Sequence, residues 1–177
     1  MTLLCLVLVA SSVVGTQGAP AQNSPPESEW IHIDGGKNPE LLPEYLVWQE
    51  TLSGFALIKT KGIPLPPVLR NLPPAERDQI FEAALWEQQQ AKDCMERQER
   101  KTEKLRKDEK PNWKAIDAIQ KEIILECRQE VLDRVAVLLP KLSDQSRTSL
   151  LAWAEESKTG MWARVHKTEL QFFRKPR

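Results

Sequence analysis

Residues 73–139, PPAERDQIFEAALWEQQQAKDCMERQERKTEKLRKDEKPNWKAIDAIQKEIILECRQEVLDRVAVLL, decide the fold of this chain. The stretch is rich in residues that favour helices, and Pro111 is its only helix breaker after the opening prolines. Apolar residues recur at steps of three and four on both sides of Pro111, which is the spacing of an amphipathic helix. We therefore predict two long helices, over residues 74–108 and 113–139, folded back on each other as an antiparallel hairpin.

Two cysteines stand at matching heights on the two predicted helices. Cys94 lies 16 residues before Lys110, and Cys127 lies 16 residues after Pro111. We predict an intrachain disulfide between them, which closes a loop of about 30 residues and contributes about 3–4 kcal/mol in the chain-entropy description. The alternatives are a metal site or a redox pair, but the chain has no CxxC pair and no histidine near either cysteine.

Shorter helices are predicted on either side of the hairpin. The apolar spacing over residues 41–59 predicts a first helix that Gly62 ends. Five prolines within residues 63–74 predict an extended connector. A fourth helix is predicted over residues 144–158, with Ser143 as its N-cap. Together these elements predict an all-α fold, a long antiparallel helical hairpin packed with two shorter helices.

The first 21 residues differ in character from the rest of the chain. They contain no acidic or basic side chain, and residues 3–14 form an apolar run with the length of a signal-peptide core. Ala19 and Ala21 supply the small-x-small pattern that signal peptidase reads, so we predict cleavage after Ala21 and a periplasmic or secreted mature chain. No basic residue precedes the run, and a buried N-terminal strand or helix is the alternative. Export would favour the disulfide, because it places the cysteines in an oxidising compartment.

The chain is predicted to divide into four segments. The signal peptide, 1–21, precedes a flexible linker over 22–39, which holds three prolines and two glycines and lacks apolar periodicity. The helical domain covers 40–160, and a basic aromatic tail covers 161–177. The tail has one acid, Glu169, and we expect it to dock on the hairpin and on the acidic start of the mature chain. The alternative is a surface that touches membrane lipid or an acidic partner.

Composition and motifs indicate neither a catalytic nor a nucleic-acid site. Basic and acidic residues both number 25, and the charges of residues 97–110 are interleaved, as on a solvated helix face. Phosphate-binding, dinucleotide-binding, nucleophile-elbow and zinc-protease motifs are absent. The two histidines, His32 and His166, lie in segments expected to be peripheral, and His32 is interpreted as a surface residue. The carboxylates show no sign of burial, so we expect no enzyme, no cofactor and no bound metal.

The helix starts on either side of the hairpin resemble a family motif. Residues 72–77 read Leu-Pro-Pro-Ala-Glu-Arg, and residues 142–147 read Leu-Ser-Asp-Gln-Ser-Arg. Both are similar to the paired Leu-Thr-x-x-Gln motifs of the Spy/CpxP-like periplasmic stress proteins. The departures are Pro73 in place of threonine, and Glu76 and Ser146 in place of glutamine.

The resemblance spans about residues 72–154. It implies an ATP-independent chaperone or a sensor of envelope stress, often a dimer with a cradle-shaped surface. Some relatives contact metal, but no matching histidine or cysteine motif is present here, so no ligand residues are assigned. We expect an exported periplasmic helical interaction protein, chaperone-like or responsive to envelope or metal stress, with a protein partner or unfolded client. The alternative is a structural envelope protein without client or metal binding.

Overall fold

The computed structural model describes residues 30–108 and 110–173 of the 177-residue chain. Within these residues the fold is all-α, apart from one small two-stranded sheet. The predicted signal peptide with Ala19 and Ala21, and the first part of the predicted linker, lie outside the described residues.

The hairpin predicted from the sequence is confirmed. Helix α3 spans Pro74–Lys107 and helix α4 spans Trp113–Leu138. Asn112 begins α4, because its side chain accepts a hydrogen bond from the backbone N–H of Ala115 at 3.1 Å. The short turn between the helices makes them antiparallel, and their ends differ from the predicted ends by one residue each.

Shorter helices pack against the base of the hairpin. Helix α1, Glu44–Lys61, contacts both α3 and α4, and Gly62 ends it in the left-handed conformation with φ of 65°. The connector before the hairpin differs from the prediction, because it contains the one-turn helix α2, Pro67–Arg70. Proline suits the first position of a helix, where its missing N–H is not needed. Helix α5, Asp144–Ser157, follows the hairpin as predicted.

A two-stranded antiparallel sheet joins the two ends of the described chain. Strand β1 spans Trp30–Asp34 and strand β2 spans Trp162–His166, with Trp30 opposite His166. Strand β1 corrects the described part of the flexible linker predicted over 22–39, since Ile31 and Ile33 lie on one face of the strand and pack in the core. Helix α6, Lys167–Phe173, follows β2. The described part of the tail therefore docks on the start of the described chain, as predicted.

Gly35 permits a close approach directly after β1. Its backbone N–H donates to the carbonyl of Met161 at 2.9 Å. A Cβ atom at this position would collide with the carbonyl oxygen of Lys158 and would lie 2.7 Å from Cδ1 of Leu42. The residue is therefore part of a packed contact and not of a loose linker.

The main core lies at the base of the hairpin, where α1, α2, α5 and the sheet meet α3 and α4. Its largest fully buried side chains include Leu52, Phe55, Leu69, Ile80 and Leu150. A second, small cluster of Cys94, Ile123 and Cys127 lies further along the hairpin. The distal hairpin, residues 95–126, therefore extends beyond the main core. None of the described helices has the length and apolar content needed to cross a membrane.

Candidate functional site

Cys94 and Cys127 form a disulfide, as predicted. Their Cα atoms are 6.2 Å apart, and the two side chains are 8% and 6% exposed. The bond staples α3 to α4 where the main core has ended. Such a bond is compatible with an oxidising compartment. No group of three or more metal-ligating side chains occurs among residues 30–108 and 110–173.

A polar network lies beside the disulfide and was not predicted. The carboxylate of Glu130 accepts hydrogen bonds from Arg97 at 3.0 and 3.1 Å and from Gln90 at 2.8 Å. The bond from Arg97 lowers the pKa of Glu130. Gln90 also donates to the carbonyl of Cys127 at 3.3 Å. The network ties the two helices together through partners at least 33 positions apart in sequence, a separation that no local pattern reveals.

The two helix starts that carry the motif resemblance lie side by side. Leu72 and Leu142 are both buried, at 7% and 4% exposure. The Glu76 carboxylate accepts hydrogen bonds from the backbone N–H of Ser143 at 3.3 Å and from its hydroxyl at 3.1 Å. Hydrogen bonding by Ser146, and then by Ser143, lowers the pKa of Glu76. Residues that the motif places 70 positions apart thus belong to one structural unit.

An open groove lies beside this unit, between α2 and α5, with a volume of about 620 Å³. We call it the helix-start groove. Val68 and Leu72 are buried in its floor with Trp153 half-buried beside them, whereas Asn71 and Ser149 are exposed at its rim. A volume of this size lies within the range of ligand sites. The lining consists of Pro67, Val68, Asn71, Leu72, Pro73, Ser143, Gln145, Ser146, Ser149, Ala152, Trp153 and Glu156.

The helix-start groove is almost uncharged. Glu156 is the only ionisable side chain in its lining, although more than a quarter of the chain is charged. The rim offers amide and hydroxyl groups, which both donate and accept hydrogen bonds. By contrast, the large apolar side chains that the described hairpin exposes are spread over its length, at Leu85, Met95, Trp113 and Val137. The concavity, with its buried apolar residues Val68 and Leu72, therefore lies at the base of the hairpin.

One carboxylate is buried, which corrects the expectation that none would be. Glu87 is 1% exposed, on the face of α3 that α1 covers, and accepts a hydrogen bond from the Ser53 hydroxyl at 2.7 Å. Burial raises the pKa of Glu87, and the nearby charge of Glu50 raises it further. The position of Glu87 in the sequence could have predicted its burial. It lies three residues after Ala84 and four before Ala91, on the apolar stripe of α3.

The single acidic residue of the tail, Glu169, binds the tail to helices α1 and α4. Glu169 forms an ion pair with Arg128 of α4 and accepts a hydrogen bond from the Tyr45 hydroxyl at 3.1 Å. The Arg128 guanidinium lies 4.6 Å from the centre of the Tyr45 ring. Burial raises the pKa of Tyr45 and lowers that of Arg128. These contacts bear out the predicted docking, while Trp162 of the tail is 76% exposed. Contact of the tail with membrane lipid stays a prediction.

The two histidines differ in their surroundings. His32 is exposed on β1, as predicted. His166, which was expected in a peripheral segment, is 5% exposed and packs edge-on against Trp30 with ring centres 5.4 Å apart. The strand pairing that places His166 opposite Trp30 explains its burial.

Comparison with known proteins adds no relative, since no family model, curated protein or solved structure matches this chain. The resemblance to the Spy/CpxP-like proteins therefore stays a prediction.

Proposed function

We propose that this chain is an exported helical interaction protein that holds extended segments of other proteins in the helix-start groove. The observation that carries the proposal is the combination of an apolar floor with a hydrogen-bonding rim on which Glu156 is the only ionisable side chain. An unfolded segment presents apolar side chains together with unpaired backbone N–H and C=O groups. The groove offers partners for both, in a form that does not depend on one particular sequence. This is the chemistry expected of a chaperone-like activity.

We further propose that the mature protein works in the periplasm or outside the cell. The Cys94–Cys127 disulfide supports this location, because such bonds persist in oxidising compartments. The apolar run over residues 3–14 supports it independently. We propose that activity there does not depend on ATP, since the lining of the helix-start groove offers no basic side chain to bind phosphates.

The proposal is tested by filling the groove with a long charged side chain. Ser149 and Thr148 are neighbouring exposed residues of α5, and only Ser149 lines the groove. Ser149→Arg is therefore the test variant and Thr148→Arg is its matched control. Affinity for a fluorescently labelled, permanently unfolded polypeptide is measured by anisotropy, and suppression of client aggregation is measured at stoichiometric ratio.

We expect the wild-type chain and Thr148→Arg to bind and to suppress aggregation equally. Ser149→Arg should bind at least about tenfold more weakly, a loss of about 1.4 kcal/mol. Thermal unfolding of both variants shows whether the fold is kept. The proposal fails if the wild-type chain has no effect at stoichiometric ratio, or if the two arginine variants behave alike.

A further inference from the structure

Basic and acidic side chains are distributed unevenly along the length of the hairpin. The hairpin tip, residues 100–114, carries seven basic and three acidic side chains. The hairpin shaft, residues 82–99 and 115–134, carries ten acidic and five basic side chains. The tip thus has an excess of four positive charges and the shaft an excess of five negative ones. This separation is hidden in the whole chain, where acids and bases are equal in number.

The positive charges of the tip are accessible. All seven basic side chains are exposed, and they lie within the distal hairpin, beyond the main core. Arg100 pairs with Glu96 at 3.3 Å, and Lys107 pairs with Glu103 at 2.5 Å. Both pairs join exposed side chains four residues apart on α3, and such surface pairs contribute little to stability and are screened by salt.

Trp113 adds an apolar group at the same end of the molecule. It is the first residue of α4 and is 50% exposed, directly after the turn that joins the helices. Lys114 follows it directly and Lys110 lies three residues before it, and both are exposed as well. An exposed tryptophan beside lysines is the combination that membrane interfaces favour, since the ring enters the headgroup region while the cations meet phosphates.

We propose that the hairpin tip docks on an anionic membrane surface, with lipid headgroup phosphates as the ligands of its basic side chains. The shaft determines the orientation, because its excess negative charge is repelled by the same surface. The hairpin therefore stands end-on and does not lie flat on the membrane. In this pose the helix-start groove lies at the end of the hairpin opposite the lipid. The proposal stands independently of what the groove binds.

The test uses the mature, disulfide-bonded chain and co-sedimentation with vesicles. One set of vesicles is phosphatidylcholine alone, and the other contains equal amounts of phosphatidylcholine and phosphatidylglycerol. The tip variant is Lys104→Glu/Lys110→Glu. Its charge-matched control is Lys61→Glu/Lys141→Glu, at exposed positions outside the tip. Both variants change the net charge by the same amount, so only the position of the charge differs.

We expect the wild-type chain to bind the anionic vesicles and not the neutral ones, and to dissociate from the anionic vesicles as salt is added. Each basic side chain near such a surface strengthens binding about fivefold. The affinity of the tip variant for anionic vesicles should therefore fall by more than about tenfold. The control should stay within about twofold of the wild type. Equal losses in the two variants, or binding that does not distinguish the two vesicle types, would overturn the proposal.

A second measurement reports the part of the chain that touches lipid. Brominated lipids quench tryptophan emission at short range, and the chain offers Trp113 at the tip and Trp162 on the tail, the latter 76% exposed. Docking by the tip predicts that quenching falls in Trp113→Phe and persists in Trp162→Phe. The reverse result would overturn the proposal in favour of tail contact. Tighter binding to duplex RNA than to anionic vesicles at equal salt would overturn it in favour of a nucleic-acid partner.

Discussion

Glu76, in the first turn of α3, binds Ser143, the N-cap of α5, across 67 positions of sequence. Its carboxylate accepts from the Ser143 backbone N–H at 3.3 Å and from the Ser143 hydroxyl at 3.1 Å. The same hydroxyl accepts from the backbone N–H of Ser146 at 3.4 Å, which caps α5. One serine therefore begins its own helix and joins it to the start of the hairpin.

Replacing Ser143 with alanine should destabilise the protein by about 1–2 kcal/mol, because the variant loses both the cap and the hydroxyl that donates to Glu76, and keeps only the backbone N–H donor. The measurement is urea unfolding at pH 7. The matched control is Ser149→Ala, which removes a hydroxyl from an exposed position inside the same helix and should change the unfolding free energy little. Equal effects of the two substitutions would show that the contact with Glu76 and the cap do not stabilise the fold.

The contact also predicts a pH dependence. The pKa of Glu76 is lowered in the folded state by hydrogen bonds from Ser146 and Ser143. The contribution of Glu76 to the free energy of unfolding is therefore fully present above the unfolded-state pKa of about 4.3. It is lost as the pH falls through the lower folded-state pKa. We expect the wild-type chain to lose more stability than Glu76→Gln on acidification below that pH. Parallel pH profiles of the two proteins would contradict this.

Removing the disulfide should loosen one end of the hairpin selectively. Cys94→Ala/Cys127→Ala removes a bond between residues 33 positions apart, and we expect a loss of about 3–4 kcal/mol in the free energy of unfolding. Besides the cluster at the disulfide, Ile116 is the one buried apolar side chain among the described residues of the distal hairpin, 95–126. Hydrogen exchange should therefore accelerate there more than in α1 or α5. A uniform acceleration over the described chain would show that the bond acts on global stability alone.

Two glycines should respond in opposite ways to alanine. Gly54 lies exposed inside α1, and an added Cβ would meet nothing within 4 Å. Gly54→Ala should stabilise the protein by about 0.5–1 kcal/mol, the helix-propensity difference between the residues. Gly35→Ala should destabilise it, because the Cβ would collide with the carbonyl oxygen of Lys158. Thermal unfolding measures both, and destabilisation by Gly54→Ala would reveal a contact that the geometry does not show.

The hairpin was predictable because its signals are local. Pro111 and Asn112 mark the end of one helix and the start of the next within two residues. The disulfide followed from the same turn, since equal distances from it place Cys94 and Cys127 at one height. These features depend on chain neighbours and on one simple fold-back, so spacing alone suffices to predict them.

The missed features depend on partners far away in sequence. Strand β1 is five residues long and beside two glycines, and it is a strand because β2, more than 120 positions later, pairs with it. The helix-start groove arises where α2, hidden in a proline-rich connector, meets α5. Helix propensity describes neither, because each is produced by tertiary contact.

Glu87 gives the last prediction, with the opposite sign of pH dependence to Glu76. Burial raises its pKa in the folded state, so over the interval between the unfolded and the folded pKa the native protein binds more protons. Stability then falls as the pH rises through that interval. Glu87→Gln removes the titration and can still accept from Ser53, whose hydroxyl lies 2.7 Å from the Glu87 carboxylate. The variant should therefore be more stable than the wild type at pH 7 and lose this advantage near pH 4. Urea unfolding at both pH values measures the difference, and Glu99→Gln, exposed on the same helix, should leave stability unchanged at each. A Glu87→Gln variant less stable than the wild type at pH 7 would show that the ionised carboxylate is needed at this position.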